Sequence, residues 1–431
     1  MRIGIQTWGS EGDIRPFVSI GHALAKRGHQ VELVYTEIGD RRYEAVAAAL
    51  GFTARAVASP IVDPERAIDI GLKILRTRNQ LQQGLIISRE LLEPVIEPMF
   101  EAAVELCRRS DLLIHHFILD AARAAADLAD VPAITVQFAH MLIPSRKIHP
   151  SGTPRLGEWG NALEWKLARL ALNLTLLKNV NRFRSRVGLP TFADLLHDAW
   201  GSHRLNVVGA SPALIDRPAD WPAWHQLSGF LELPSHEHEA VSEDMEAFLA
   251  NGPAPVFMGF GSLMPIAGNE HSSAAIALFE QAAHLAGCRA IIQSDIDPTV
   301  AATASTGKRS DRMLWVKRTP HKLVFPRCAA VVHHAGAGTT HTTLHAGVPS
   351  VPVPHVSDQF GWSEELQRLG VAPAPIRRGK LTAITLASRI KEALENGAMK
   401  RAAMAMSARM QSDNGPEAAA DMIEKAMWNK N

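Results

Sequence analysis

The feature that most constrains the fold is the segment 331–340, where an apolar run passes through a turn of small residues into a helical pattern. Residues 331–333 have the composition of a buried strand, and residues 335–338 (Ala-Gly-Ala-Gly) form the turn. A strand that leads directly into a helix is half of a β-α-β unit, which favours a parallel sheet. The start of such a helix presents unpaired N–H groups and the positive end of the helix dipole. The segment therefore suits a bound phosphate.

Side chains near this turn extend the same interpretation. Gly336 and Gly338 let an anion approach the backbone closely, and His334 adds a side-chain donor. A second strand pattern near residue 353 is followed by Asp358 and Gln359, whose short polar groups suit the hydroxyls of a sugar. A histidine that only satisfies local backbone, and an aspartate that only caps the next helix, are the competing interpretations.

Strand and helix patterns alternate along the chain, which predicts an α/β protein with parallel sheets. Because 431 residues exceed what one core usually holds, we expect two Rossmann-like domains. We place the first at 1–215, a Pro- and Trp-rich linker at 216–238 and the second at 239–410. A last helix at 411–431 can cross back to the first domain.

Composition narrows the classes of partner. A formal net charge of +1 gives no electrostatic case for nucleic acid. Cys107, Cys288 and Cys328 are far apart and odd in number, so they predict neither a disulfide framework nor a zinc site. The pair His115–His116 has no further ligand at a suitable spacing, and we predict no metal site. With no long apolar run and no signal-peptide core, the chain is expected to be cytoplasmic.

With these segments taken together, the chain resembles the nucleotide-sugar-dependent glycosyltransferases of the family (family 1) that includes sterol glucosyltransferases and glycopeptide-antibiotic glycosyltransferases. The resemblance implies two facing Rossmann-like domains of the GT-B type, with the acceptor bound by the first half and the donor by the second. It covers nearly the whole length and is carried, in the same order, by residues 9–16, 259–263, 320–326, 333–340, 347–354 and 358–359.

The activity that this resemblance implies is inverting transfer of a hexose. The donor would be a nucleoside diphosphate sugar, with UDP-glucose as the first candidate. The acceptor would be a hydroxyl of a hydrophobic small molecule such as a sterol, lipid or polyketide. No metal or other cofactor would be required, and membrane contact would be peripheral at most. A TDP-deoxysugar transferase of the rhamnosyl type, a nucleotide-sugar epimerase or hydrolase, and a non-catalytic partner protein remain as alternatives.

The resemblance also places the catalytic base at Asp13, in the loop that follows the first strand. Inverting transfer needs a group that takes the proton of the attacking hydroxyl. The competing interpretation is that Asp13 only caps a helix beginning at Ile14. Ser10 and Ser262 fall where the family contacts the donor, and ordinary turn serines are the alternative for both.

The remaining implied roles concern the donor. They are diphosphate binding by His334, Gly336, Gly338 and Thr339, sugar binding by Asp358, Gln359 and Trp362, and nucleobase binding by Trp315, Arg318 and His321.

Two amphipathic stretches, residues 64–93 and 140–187, are candidates for the acceptor side. Their apolar stripes either line a site for a lipophilic acceptor or form ordinary helix packing. Basic residues among 64–93 allow a peripheral membrane contact, with a solvated helix face as the alternative. The sequence does not indicate an oligomeric state.

Overall fold

The computed structural model describes residues 1–39, 41–61, 63–233, 240–261, 269–294 and 310–428. The chain divides into two compact units. The first comprises Met1–Asp63, Asn79–Pro234 and Asp413–Asn431, and the second comprises Pro64–Arg78 and Ser235–Ser412.

The first unit contains a seven-stranded parallel sheet with the strand order β3-β2-β1-β4-β5-β6-β7. The order turns outward in both directions from β1 and β4, which is the doubly wound pattern. Its strands are β1 (Arg2–Gly9), β2 (Gln30–Glu37), β3 (Thr53–Ala56), β4 (Leu112–His116), β5 (Ala133–Gln137), β6 (Asn206–Val208) and β7 (His225–Leu227).

Helices connect and cover these strands, which is why β1 and β4 are buried almost throughout. The α-helices numbered here, of which α3 belongs to the second unit and the others to the first, are α1 (Glu11–Lys26), α2 (Glu44–Ala49), α3 (Pro64–Arg76), α4 (Gln80–Ile87), α5 (Ile96–Arg108), α6 (Asp120–Ala129), α7 (Gly157–Leu172) and α8 (Lys178–Arg186).

The second unit contains a five-stranded parallel sheet with the order β10-β9-β8-β11-β12. Its strands are β8 (Val256–Gly259), β9 (Ala290–Gln293), β10 (Met313–Val316), β11 (Ala330–His333) and β12 (Ser350–Pro352). Its further helices are α9 (Glu243–Ala250), α10 (Asn269–Ala286), α11 (His321–Val324), α12 (Ala337–His345), α13 (Gln359–Arg368), α14 (Ala383–Glu395) and α15 (Gly397–Met410).

The segment expected to be a linker is folded over its described part, residues 216–233. Strand β7 pairs in parallel with β6, and Trp221 is buried. The guanidinium of Arg217 donates to the carbonyls of Trp221 and His225. The prediction of a linker from residue 216 is therefore wrong. The Pro- and Trp-rich composition suggested a linker, but this segment forms the last strand of the first sheet and buries Trp221.

The last helix, α16 (Gly415–Trp428), belongs to the first unit and packs on α1. The guanidinium of Arg27 at the end of α1 donates to Glu417, Asp421 and Glu424 at 2.6–2.9 Å. Ala420 joins the same apolar core as β1.

The position of α3 differs from the predicted domain boundary. Residues 1–215 were expected to form one domain, but α3 belongs to the second unit.

Among the described helices, none combines the length and the apolar composition needed to cross a bilayer.

Candidate active site

Asp13 lies in the first turn of α1, immediately beyond β1. The helix begins at Glu11 with Ser10 as its N-cap, and Asp13 is the third residue of a capping box, so the carboxylate also stabilises the start of this helix. Its Oδ2 accepts hydrogen bonds from the backbone N–H of Ser10 at 2.8 Å and from the Ser10 hydroxyl at 3.1 Å. Ser10 therefore fixes one oxygen of the Asp13 carboxylate, and its predicted contact with the donor stays a prediction.

His116 approaches the other oxygen of this carboxylate. It ends β4, the neighbour of β1, and its Nε2 lies 3.7 Å from Oδ1 of Asp13. The imidazole is almost fully buried among Phe17, Phe117 and Phe138. In the described ranges its Nε2 has no hydrogen-bond partner within 3.5 Å. Of the pair His115–His116, the structure thus brings His116 to Asp13.

His115 does not share this position. Successive side chains of a strand point to opposite faces, and Nδ1 of His115 lies 3.0 Å from the carbonyl oxygen of His116. Complete burial lowers the pKa of His115 to about 3, which keeps its ring neutral.

Gly9 provides the space in which the Asp13 carboxylate lies. Its φ of 131° falls in a region that L-residues rarely adopt. A Cβ at this position would stand 2.3 Å from Oδ2 of Asp13. The backbone conformation and the carboxylate position thus both require glycine here.

We expect Gly9→Ala to lower turnover by at least about 100-fold, because displacing a catalytic group by about 1 Å has that order of effect. The positive φ should also destabilise the fold by about 1–3 kcal/mol. The matched control is Gly12→Ala in the same helical turn, where an added Cβ meets only the Ser10 hydroxyl at 3.7 Å. Steady-state kinetics and chemical denaturation of both variants check the prediction, and equal activity in the two would contradict it.

The turn between β11 and α12 has the predicted form. Ala335 adopts a left-handed conformation with φ 60°, and its N–H donates to Nδ1 of the buried His333 at 3.1 Å. Gly336 is the N-cap of α12. The N–H groups of Ala337, Gly338 and Thr339 occupy the first helical positions, which have no acceptor inside a helix. Three donors therefore lie at the positive end of this helix dipole.

His334 lies between two glycines of the second unit. A Cβ on Gly261 would stand 2.5 Å from Cε1 of His334, and a Cβ on Gly336 would stand 2.4 Å from its Nε2. Gly336 is thus needed to make room for the imidazole of His334. This is a second role, in addition to the predicted one of letting an anion approach the backbone. Gly261 is a site residue that the sequence interpretation missed, although the Gly-Phe-Gly segment at 259–261 marks it.

The environment of His334 determines its charge. Burial lowers its pKa to about 4, so the ring is neutral near pH 7. Nδ1 of His334 is buried and has no hydrogen-bond partner within the described part of the chain. A neutral imidazole with one unbonded nitrogen can donate to an anionic oxygen or accept from a hydroxyl. Ser262, the other predicted phosphate ligand of the adjoining loop, lies outside the described residues.

The two residues of the predicted sugar-binding pair have different environments in the structure. Asp358 is the N-cap residue of α13, but its carboxylate makes no capping hydrogen bond, so the capping interpretation does not hold for its side chain. Gln359 is buried, and its Oε1 accepts from the N–H groups of His355 and Val356 at 2.9 and 3.1 Å. The Gln359 oxygen is therefore engaged in shaping the loop that presents Asp358.

The structure contradicts the predicted role of Trp362 in packing on the donor sugar. Its side chain is fully buried, and its ring meets His341 of α12 edge to face with centroids 5.0 Å apart. A ring without exposed surface cannot pack on a donor sugar. Trp362 instead fixes α13 against α12.

The three nucleobase candidates do not form one platform. Trp315 packs against the core under α10 and donates from Nε1 to Glu280 at 3.0 Å. His321 stacks on Phe325 with centroids 4.5 Å apart, in the core on the other face of the sheet. Arg318 is exposed. Because Trp315 and His321 occupy opposite faces, at most one of them can contact a given base.

One group of potential metal ligands occurs in the described ranges, away from the residues discussed so far. His197, Asp198 and His203 offer ligand atoms within 4.8 Å of one another. Nδ1 of His197 already contacts the Asp198 carboxylate at 2.8 Å, and both histidines are exposed. Neither His115 nor His116 belongs to a group of this kind within the same ranges.

Comparisons with known proteins point to glycosyltransferases. The family described as Erythromycin biosynthesis protein CIII-like, C-terminal domain, matches residues 291–426. O-mycaminosyltylonolide 6-deoxyallosyltransferase from Streptomyces fradiae is 27% identical over 99% of this chain and 97% of its own length. Sterol 3-beta-glucosyltransferase UGT80B1 from Arabidopsis thaliana is 27% identical over 99% of this chain and 68% of its own length.

Solved structures show the same fold. The glycosyltransferase of kitacinnamycin superposes with a TM-score of 0.70 at 16% identity, covering 99% of this chain and 98% of the other. The Streptomyces sp. SF2575 glycosyltransferase SsfS6, complexed with thymidine diphosphate, gives a TM-score of 0.65 at 17% identity, with 99% of both chains covered. The fold is therefore of the GT-B type, as the resemblance implied. In sequence and fold, the chain is thus similar to the family 1 glycosyltransferases, which include sterol and macrolide glycosyltransferases.

Proposed function

We propose that this enzyme transfers a hexose, with inversion, from a nucleoside diphosphate sugar to a hydroxyl of a hydrophobic small molecule. UDP-glucose is the first candidate for the donor, and a TDP-deoxysugar is the alternative. The observation that carries the proposal is the carboxylate of Asp13, which Ser10 holds through one oxygen while His116 flanks the other.

Asp13 is the proposed base, with His116 as a positioning residue. The Asp13 side chain is 35% exposed, whereas that of His116 is only 4% exposed, so an acceptor hydroxyl can reach the carboxylate but not the imidazole. As the acceptor oxygen bonds to the anomeric carbon, its proton passes to Asp13. The bond from that carbon to the diphosphate oxygen breaks, and its electron pair leaves with the diphosphate.

The turn at the start of α12 is the proposed site for the leaving diphosphate. Developing negative charge there would meet the N–H groups of Ala337, Gly338 and Thr339, together with His334. Preorganised donors of this kind stabilise a leaving group without a metal ion. Asp358 remains the proposed ligand of sugar hydroxyls, and Gln359 shapes its loop.

Two nucleotides, uridine diphosphate and thymidine diphosphate, are candidates for the carrier of the donor sugar. The resemblance leads us to expect a ribose-binding Glu in one branch of the family, yet Thr342 stands near that position, and its hydroxyl donates to the Gly338 carbonyl at 3.0 Å. One relative is named as a 6-deoxyallosyltransferase and another as a glucosyltransferase. Both uridine- and thymidine-linked donors therefore belong in the test.

The test is a matrix of donors and acceptors. Purified enzyme is incubated with UDP-glucose, UDP-galactose, TDP-glucose or TDP-rhamnose and with a sterol, a macrolide aglycone or a flavonoid. Mass spectrometry then seeks an acceptor that has gained one glycosyl residue. Free sugar without acceptor modification would indicate a hydrolase, a changed sugar still on its nucleotide would indicate an epimerase, and no reaction with any donor that binds would favour a non-catalytic partner protein.

We expect His334→Ala to reduce the stabilisation that a bound donor gives, and to lower kcat by about 100-fold or more, because a donor to the developing charge is lost. The matched control is His284→Ala, an exposed histidine on α10 of the same unit. Thermal shift with each nucleotide sugar, followed by kinetics, measures both effects. Identical shifts and rates in the two variants would remove His334 from the donor site.

A further inference from the structure

Helix α7 and the residues at its two ends carry an apolar stripe on the face that points to solvent. The stripe consists of six large side chains that are 58–82% exposed and recur every three or four residues, namely Leu156, Trp159, Leu163, Leu167, Leu170 and Leu174. This spacing places them on one side of a helix over about 27 Å. Single exposed apolar residues are ordinary, but a continuous exposed row marks an interaction surface.

The fold does not need this row, because a different face of α7 holds the helix in place. Trp165 is buried, and its Nε1 donates to the Ile148 carbonyl at 2.7 Å. Asn161 is also buried, and its Nδ2 donates to the Arg146 carbonyl at 2.9 Å. A surface helix anchored in this way would normally have a polar outer face.

Basic side chains outnumber acidic ones in the segment that carries the stripe. Residues 146–186 contain nine Lys or Arg and two Glu, whereas the whole chain has a formal net charge of only +1. Four of the nine are in ion pairs, namely Lys147 with Glu158, Arg169 with Asp194, Arg184 with Asp127 and Arg186 with Glu97. The guanidinium of Arg146 lies 4.7 Å from the ring centroid of Trp159, and Lys166 and Lys178 are exposed along the stripe.

We propose that this face of α7 docks on the surface of an anionic lipid bilayer, with the helix lying in the plane of the headgroups. An exposed apolar stripe bordered by Lys and Arg is the composition that binds such an interface. A second copy of the chain is disfavoured as the occupant, because pairing the stripes would bring two basic surfaces together.

This surface differs from the contact considered at residues 64–93. There Ile70, Ile74 and Leu75 of α3 are buried and cannot insert into lipid. The inference for α7 goes beyond sugar transfer and does not depend on the identity of donor or acceptor.

The experiment is co-sedimentation of the full chain with vesicles. Binding is compared between phosphatidylcholine vesicles and vesicles that also contain phosphatidylglycerol. We expect binding to the anionic vesicles, and we expect Leu163→Gln/Leu167→Gln/Leu170→Gln to weaken it by at least about 30-fold. Lys166→Gln and Lys178→Gln should each weaken it by about five-fold, and added salt should do the same.

The matched control is Ile384→Gln, which removes a side chain that is 73% exposed on α14. It should bind as the unmodified chain does. Because every substituted position is exposed, thermal unfolding of all variants should stay unchanged, which separates lost docking from lost folding. As a further check, lipids brominated on their acyl chains should quench part of the tryptophan fluorescence of the unmodified chain. Trp159→Phe should remove that quenched part.

Three results would overturn the proposal. The first is a failure of the unmodified chain to bind anionic vesicles, and the second is equal binding by the triple leucine variant. The third is a dimer in sedimentation velocity without lipid that the triple variant converts to a monomer, since the stripe would then be an interface between copies. None of these results depends on measured transferase activity.

Discussion

Asp13→Asn is expected to lower kcat by about 1,000-fold while donor binding stays within a factor of a few. General-base catalysis contributes about 100- to 10,000-fold, and an amide cannot accept the acceptor proton. The Asn oxygen can still accept the hydrogen bond that Oδ2 of Asp13 receives from the N–H of Ser10, so the helix start should survive. The loss should therefore be one of chemistry and not of folding.

The measurements are single-turnover transfer and calorimetric titration with the donor. His116→Gln provides the comparison, because His116 flanks Oδ1 of Asp13 without being accessible to the acceptor. We expect a smaller loss of kcat there, because the carboxylate that takes the proton is retained. If Asp13→Asn kept full turnover, or if it lost donor binding as well, the proposed role of the carboxylate would fail.

The second large effect is a loss of stability in mild acid. His115, His333 and His355 are buried, and burial lowers the pKa of each to about 3. In the unfolded chain their pKa would be about 6.5. Below pH 6.5 the unfolded state thus binds up to three more protons than the native state, so the free energy of unfolding falls as the pH falls.

The size of this effect is comparable with the stability of a whole domain. Each histidine should remove roughly 2 kcal/mol by pH 5, and the three together roughly 6 kcal/mol, against a typical total of about 5–15 kcal/mol. The stability should be fully present above about pH 7 and be lost between about pH 6.5 and pH 3. Since His333 and His355 belong to the second unit, we expect that unit to unfold first.

Urea denaturation between pH 7.5 and pH 5 checks this, with separate probes for the two units. His333→Asn keeps an acceptor for the Ala335 N–H but cannot titrate, so it should lose roughly 2 kcal/mol less on acidification. His203→Asn, at an exposed position, controls for the substitution itself. If the free energy of unfolding changed equally with pH in the unmodified chain, His333→Asn and His203→Asn, the buried histidines would not be the cause of the loss of stability in acid.

Local patterns in the sequence were sufficient for the architecture. The βα alternation, the small-residue turn at 335–338 and the polar loop at Asp358 follow from periodicity and turn chemistry, which act between residues close in the chain. Asp13 was singled out by the resemblance to the glycosyltransferase family, and its role as the base is a proposal.

Packing decided what lies beside those residues. His116 reaches Asp13 across more than 100 residues of sequence, and Gly261 reaches His334 across more than 70, because strand register brings them together. Trp362 is buried where an exposed sugar platform was expected. A side chain's periodicity indicates the face it occupies, but only the tertiary structure determines whether that face meets the core, a ligand or solvent. The sequence alone thus specified the scaffold, whereas the neighbours and exposure of each site residue depended on long-range packing.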